Sequence, residues 1–340
     1  MHKIVTMGEL MLRLQPPGYK RIVQADSFDA TYGGGEANVA VSLAQMGEHA
    51  VYCTKLPDNP IGNAALSFLR KYGVDTSKIV FGTQRMGIYF IEKGASQRPS
   101  KVIYDRADSA FCSISAKELD IGGILAGASW FHFTGITPAL SQNALDCLTA
   151  ILKECKTRAI TVSCDLNYRN KLWSKEKAKE VMSGLMAYTD VLIANEEDVA
   201  DVFGIYPEDT DIGKGKLNVK AYGEIAGILM RRFGLQKVAF TLRESISASV
   251  NGWSGLLVCG GEEYISRRYE INIVDRVGGG DSFGAGLIYA LLNGRDNQAA
   301  IEFAVAASCL KHTIEGDVNL VSVKEIEYLI NSGGSGRVQR

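Results

Sequence analysis

"DRVGGGDSFGAG", Asp275–Gly286, is the stretch from which the fold can be read. Ahead of it, Tyr269-Glu270-Ile271-Asn272-Ile273-Val274 has the composition of a strand. Behind it, Phe283, Leu287, Ile288, Leu291 and Leu292 recur at helical spacing. Gly278-Gly279-Gly280 therefore falls just before a helix N-terminus. Glycines let backbone N–H groups converge, and the helix end adds partial positive charge. Such a turn suits a bound anion, or charge developing on a phosphoryl group in transfer. Asp281 follows, and its carboxylate fits an N-terminal cap, a general base, or both. The triple glycine points beyond capping, which needs no such backbone freedom. A rival reading starts one residue earlier. Gly280-Asp281-Ser282-Phe283-Gly284 satisfies G-x-S-x-G, the nucleophile elbow, with His312 and Glu302 downstream. That elbow wants its serine directly at a strand end, whereas Asp275 to Asp281 intervene here.

Working outward, short β-rich apolar runs alternate with longer helical patterns. Strands are expected at 3–8, 51–56, 129–134, 159–165, 190–194 and 237–242. Helices are expected at 36–46, 63–72, 141–156, 174–188, 219–233, 281–293 and 297–312. In the third of these, Ser141 can cap while Ala144, Leu145, Leu148, Ile151 and Leu152 share a face. The strands are apolar almost throughout, as buried parallel strands are. The pattern predicts an α/β fold with a doubly wound, mostly parallel sheet flanked by helices. Residues 11–32 and 85–112 lack helical periodicity. Each reads as a pair of strands, one bending at Pro16-Pro17-Gly18 and the other at Gly94 to Ser100. Together they predict a small β-sheet lid. The α/β domain then comprises 1–10, 33–84 and 113–331, and 332–340 is a flexible tail. Ligands of open parallel sheets bind beyond the strands' carboxyl ends. Those ends carry Gly8-Glu9, Gly135, Asp165 to Asn167, Asn195-Glu196 and Thr241.

Composition narrows the function. With 340 residues, 46% apolar and 22% charged, the chain is long enough for a sizeable core. A net charge of −1 and scattered basic residues argue against nucleic acid as a partner. No apolar run approaches a membrane span, and Met1 to Gly8 is too short and polar for a signal peptide. Seven dispersed cysteines without a C-x-x-C pair predict reduced thiols and a cytoplasmic setting. Walker A and clean G-x-G-x-x-G motifs are missing, because Gly33-Gly34-Gly35-Glu36-Ala37-Asn38 ends in Asn. With only 4 histidines and no H-E-x-x-H, a zinc hydrolase is disfavoured.

"GGGEANVAVSLAQMG" (Gly33–Gly47) and "DRVGGGDSFGAG" together resemble the two signatures of the ribokinase-like, or PfkB, carbohydrate kinases. The resemblance spans residues 3 to 330. It implies a lid-covered sheet and ATP-dependent phosphorylation of a sugar hydroxyl. On it, Gly278, Gly279 and Gly280 form an anion hole and Asp281 is the base. "GELMLRLQPPG", "YDRADSA" and "DLNYR" look like the 2-keto-3-deoxygluconate kinase branch. That branch implies a sugar pocket of Gly34, Asn38, Tyr89, Tyr104, Arg106 and Arg169. Two arginines suit a carboxylate, which a guanidinium fork binds bidentately. The acid by which ribokinases grip sugar hydroxyls is missing after Gly8-Glu9.

For ATP, the resemblance implies Asn195, Thr241, Arg243, Gly278, Gly280 and Ser308, with Ala307 and Lys311 near adenine. Two departures stand out. Asn195-Glu196-Glu197-Asp198 has Asp where the family has Glu, so Asp198 would meet Mg²⁺ through water. The segment after Thr241 lacks the usual glycines, so Arg243 would touch phosphate. The expected partners are a small sugar acid and ATP with Mg²⁺, a monovalent cation such as K⁺ being a further candidate. A homo-oligomer pairing through the lid is also expected. Fructose or a deoxygalactonate epimer as substrate, a non-catalytic sensor, and the Ser282 hydrolase remain open.

Overall fold

The computed structural model describes residues 1–206 and 219–332. Beyond Ser332, the expected tail lies outside the described residues. The strands in chain order are β1 Lys3–Met7, β2 Met11–Gln15, β3 Asp29–Gly33, β4 His49–Pro57, β5 Ile79–Gly82, β6 Gly87–Glu92 and β7 Lys101–Asp105. They continue with β8 Ala128–Thr134, β9 Thr161–Asp165, β10 Val191–Ala194, β11 Lys237–Ser245, β12 Val250–Cys259, β13 Glu262–Ile265 and β14 Tyr269–Asn272. The main sheet runs β13-β12-β11-β10-β9-β8-β1-β4-β5, with β14 also paired to β12. From β11 to β5 every neighbour is parallel; β12, β13 and β14 add an antiparallel edge.

Alternation along β1 shows why both faces are apolar. Ile4 packs into one core; Val5 and Met7 pack into the other. Helices Gly35–Gln45, Gly279–Leu292 and Asn297–Lys311 cover the first face. Gln142–Thr157, Lys175–Leu185 and Val219–Phe233 cover the second. This is the doubly wound α/β arrangement expected from the sequence.

The differences are local and have causes. Helix Pro60–Lys71 starts before 63, because Asn59 caps it and Pro60 takes the first helical position. The β12–β13 hairpin was not among the expected strands, and Gly252 and Gly255 lie within β12. A Cβ on Gly255 would lie 2.8 Å from Val305 and 3.0 Å from Phe283, so that glycine admits close helix packing.

The second sheet has the order β3-β2-β6-β7. Both expected hairpins form, and β2 and β6 join them in parallel. Pro16-Pro17-Gly18 only begins the first connection, which also contains a 3-10 turn at Ile22–Gln24. This sheet stands over the carboxyl ends of the main strands. All seven cysteines are unpaired thiols. Among the described residues no helix is long and apolar enough to cross a membrane.

Candidate active site

The ends of β1, β9, β10 and β11, the glycine turn and the small sheet enclose one cleft of roughly 600 Å³. Glu9, Asp165, Asn167, Asn195 and Thr241 line it, so most of the polar strand ends converge. Asn167 holds φ 37°, a left-handed backbone that asparagine tolerates better than most residues.

The glycine turn is built by exclusion. Gly278 is the N-cap of helix Gly279–Leu292 with φ 81°, and a Cβ there would sit 1.8 Å from the Asp317 carbonyl oxygen. Gly279 lies against the His312 ring, and Ser308 Oγ donates to its carbonyl at 2.7 Å. First-turn N–H groups of a helix have no intrahelical acceptor; the Gly279 N–H donates to the Arg276 carbonyl at 3.3 Å, and Gly280 and Asp281 line the cleft. Asp281 is therefore third in the helix and not its cap. Its Oδ2 accepts from Asn38 Nδ2 at 2.7 Å. Burial raises the Asp281 carboxyl to about 7, against the opposing pull of the Asn38 hydrogen bond.

On the small-sheet side, Arg106 Nε donates to Glu9 Oε2 at 2.7 Å, and Nη2 lies 2.5 Å from the same oxygen. Its guanidinium also sits 5.5 Å from the centre of the Tyr104 ring. Arg106 thus brings a buried acid with it, leaving one edge for a ligand. Arg169 is exposed, donates only to the Tyr168 carbonyl, and forms no ion pair with a carboxylate among the described residues. Tyr89 turns its ring to the cleft, but its hydroxyl donates to Asp317 Oδ2 at 2.6 Å. Asn38 is likewise committed, to Asp281 and to the Gly34 N–H.

On the opposite side, Asn195 caps helix Glu196–Phe203, accepting from the Asp198 N–H at 2.8 Å and donating to Asp198 Oδ2 at 3.0 Å. Burial lifts the Asp198 carboxyl to about 6. Asp165 is pushed well up by burial and then by the nearby Asp281 and Asp198 charges. Arg243 lies beside Arg276, whose Nη2 donates to the Ala248 carbonyl at 3.0 Å. Neither arginine pairs with a carboxylate among the described residues. The acids nearest in sequence are taken, Glu244 by Arg268 and Asp275 by Arg13.

Three expected nucleotide contacts do not reach the cleft. Ser308, Ala307 and Lys311 are fully buried behind the glycine turn, where helix Asn297–Lys311 packs on helix Gly279–Leu292. Ser282 also points inward, 1% exposed, and accepts from Asn319 Nδ2 at 2.6 Å. A serine held there cannot meet a substrate, which removes the hydrolase reading. Arg276 and Asp317 line the cleft without having been singled out, and His312, named only for the hydrolase reading, lines it too. Arg276 stood in the quoted glycine motif; Asp317 offered no local signal.

The sequence profile of the pfkB family carbohydrate kinases matches residues 1–322. The chain is 33% identical over 334 residues to the 2-dehydro-3-deoxygalactonokinase of Haloferax volcanii, covering 98% of each. It is 28% identical to the 2-dehydro-3-deoxygluconokinase of Thermoproteus tenax, covering 98% of this chain and 95% of that one. The crystal structure of the 2-dehydro-3-deoxygluconokinase from Thermotoga maritima is 55% identical with a TM-score of 0.94. It aligns over 97% of this chain and 100% of its own.

Proposed function

Because the chain belongs to the pfkB family of carbohydrate kinases, we propose that it phosphorylates 2-keto-3-deoxygluconate (also written 2-dehydro-3-deoxygluconate) at its 6-hydroxyl, using ATP. The observation that carries this reading is Asp281, a carboxyl raised to about 7 in the first helical turn after three glycines. At neutral pH such a group is substantially unprotonated, yet basic enough to take a proton from an attacking hydroxyl.

In this reading the sugar oxygen forms its bond to the γ-phosphorus as the bond to the β–γ bridging oxygen breaks. Asp281 receives the hydroxyl proton, and ADP leaves with the bridging electron pair. The first-turn N–H groups stabilise the charge on the transferring group. Arg243 and Arg276 meet the remaining phosphates, beside Thr241 and Asn195. Arg169 and the free edge of Arg106 hold the sugar-acid carboxylate, with Gly34, Tyr89 and Tyr104 as walls. Asn38 acts on Asp281, keeping its carboxylate aimed.

Mg²⁺ would arrive with ATP and neutralise phosphate charge. Among the described residues no group of three or more His, Cys, Asp or Glu side chains could hold a metal ion. That fits an ion carried by phosphate oxygens and water, with Asp198 as an outer partner.

The named relatives act on epimeric keto acids, so the galactonate epimer is the second reading. ADP release with Mg²⁺ and ATP would be compared for both epimers, fructose and ribose. Turnover limited to the keto acids supports the arginine pocket. Turnover with fructose or ribose alone discards that pocket, and no turnover with any of them sinks the substrate reading. Pairing of copies through edge strands β3 and β7 belongs to the same proposal; Ile103 on β7 is 53% exposed. A sedimentation profile showing only monomer would overturn it.

A further inference from the structure

Arg13 is among the largest side chains that the fold buries completely, with 1% exposed. It belongs to β2, a central strand of the small sheet, yet its guanidinium reaches the main domain. Nη1 donates to Asp317 Oδ1, and Nη2 to Asp275 Oδ2 at 2.5 Å and to Gln15 Oε1. Tyr89 on β6, the other central strand, adds its bond to Asp317.

Both acids hold the glycine turn. The Asp317 carbonyl is the atom against which Gly278 packs. Asp275 opens the turn, and its carboxylate accepts from the Val277 and Gly316 N–H groups, each at 3.1 Å. Lys311, also buried, donates to the Asp275 and Ile314 carbonyls. The turn, the 311–317 segment and the small sheet thus meet at Arg13. A buried ion pair of this kind adds little net stability over apolar packing of the same volume. Its effect is geometric: two carboxylates on different segments are held in register by one rigid fork.

We propose that Arg13 is a positioning residue of phosphoryl transfer, setting the distance between the glycine turn and the sugar-binding strand β7. The inference rests on the kinase reading. The turn faces the phosphoryl group, and β7 carries Tyr104 at the sugar end of the cleft with Arg106 just beyond. Arg13 is the fully buried tie to both Asp275 and Asp317, beside the Tyr89–Asp317 bond and the Lys93–Glu315 pair. A misplacement of about 1 Å between reacting groups costs about 100-fold in rate.

The test compares wild type with Arg13→Lys, which keeps the charge and loses the fork. Thermal melting, kcat, both KM values and sugar-independent ATP hydrolysis are measured. The expected result is a kcat lower by about 10- to 100-fold with both KM values within about threefold. ADP released without phosphorylated sugar should rise as a share of the total. Unchanged kcat in a folded Arg13→Lys overturns the inference, as does a change confined to KM. Should Arg13→Lys fail to fold, Gln15→Leu decides, since it removes an acceptor of the Arg13 fork at a residue that does not line the cleft. A reduced kcat with unaltered sugar KM supports the inference; unaltered kcat overturns it. Wild type inactive toward every sugar tried overturns the kinase reading and this inference with it.

Discussion

Asn38 Nδ2 lies 2.7 Å from Asp281 Oδ2, although 243 residues separate them in the chain. The bond stabilises the charged carboxylate and so opposes burial, leaving Asp281 at about 7. On the proposed role of Asp281, the base is thereby poised at neutral pH. The kcat/KM for sugar should rise with pH through about 7 and level off above it. Asn38→Leu removes the opposing bond and should move that limb to higher pH. A pH–rate profile flat from about 5.5 to 8 would remove Asp281 from the base role.

Asp281→Asn should lower kcat by about 100-fold or more. It should also stabilise the fold at alkaline pH. The carboxyl rises from 3.8 to about 7 on folding, so between those values the native state binds more protons than the unfolded state. Stability therefore falls as pH climbs through that window. At pH 8 the variant should melt above wild type, by about 2–4 °C for each kcal/mol relieved. Equal or lower melting at pH 8 contradicts this account of the site.

Arg106 and Arg169 should respond differently to the same substitution. Arg106→Ala strands the Glu9 carboxylate, only 3% exposed, and should cost about 3–5 kcal/mol. Glu9→Gln combined with Arg106→Gln should recover part of that loss. Arg169→Ala, at an exposed residue with no ion pair among the described residues, should leave melting unchanged. It should raise KM for the keto acid by about 10-fold. Melting curves beside KM values separate the two cases, and similar melting losses at both positions would contradict the assignment.

Arg276→Gln and Arg243→Gln should weaken nucleotide binding while sparing sugar KM. With no carboxylate ion-pair partner among the described residues, both guanidiniums are free to meet an anion. The loss should be largest for ATP, smaller for ADP and least for AMP, as titration calorimetry can resolve. Equal losses for all three nucleotides would move these arginines away from the terminal phosphates.

The fold was legible because its elements advertise themselves locally. The apolar run of β4 and the 3.6-residue rhythm of helix Gln142–Thr157 need no partner to be recognised. Strand β12 was not legible in the same way: Gly252 and Gly255 lie within it, Gly252 where the Arg268 and Glu244 side chains approach and Gly255 where helices packed from elsewhere do. Ser308 shows the same limit at the site. Its motif position suggested adenine, but the contact of helix Asn297–Lys311 with helix Gly279–Leu292 turns its hydroxyl to the Gly279 carbonyl.

What the sequence determined by itself was the kind of chemistry. A glycine turn before a helix, followed by an acid, suits an anion beside a carboxylate, because backbone freedom and the helix terminus are local properties. Only the tertiary structure decided how those groups are tuned. Asp281 gains its basicity from burial and from Asn38. Arg106 arrives already neutralised by Glu9, and Arg13 crosses 304 residues of chain to reach Asp317. Desolvation and charge pairing depend on which distant segments fold together, and no short stretch of sequence records that.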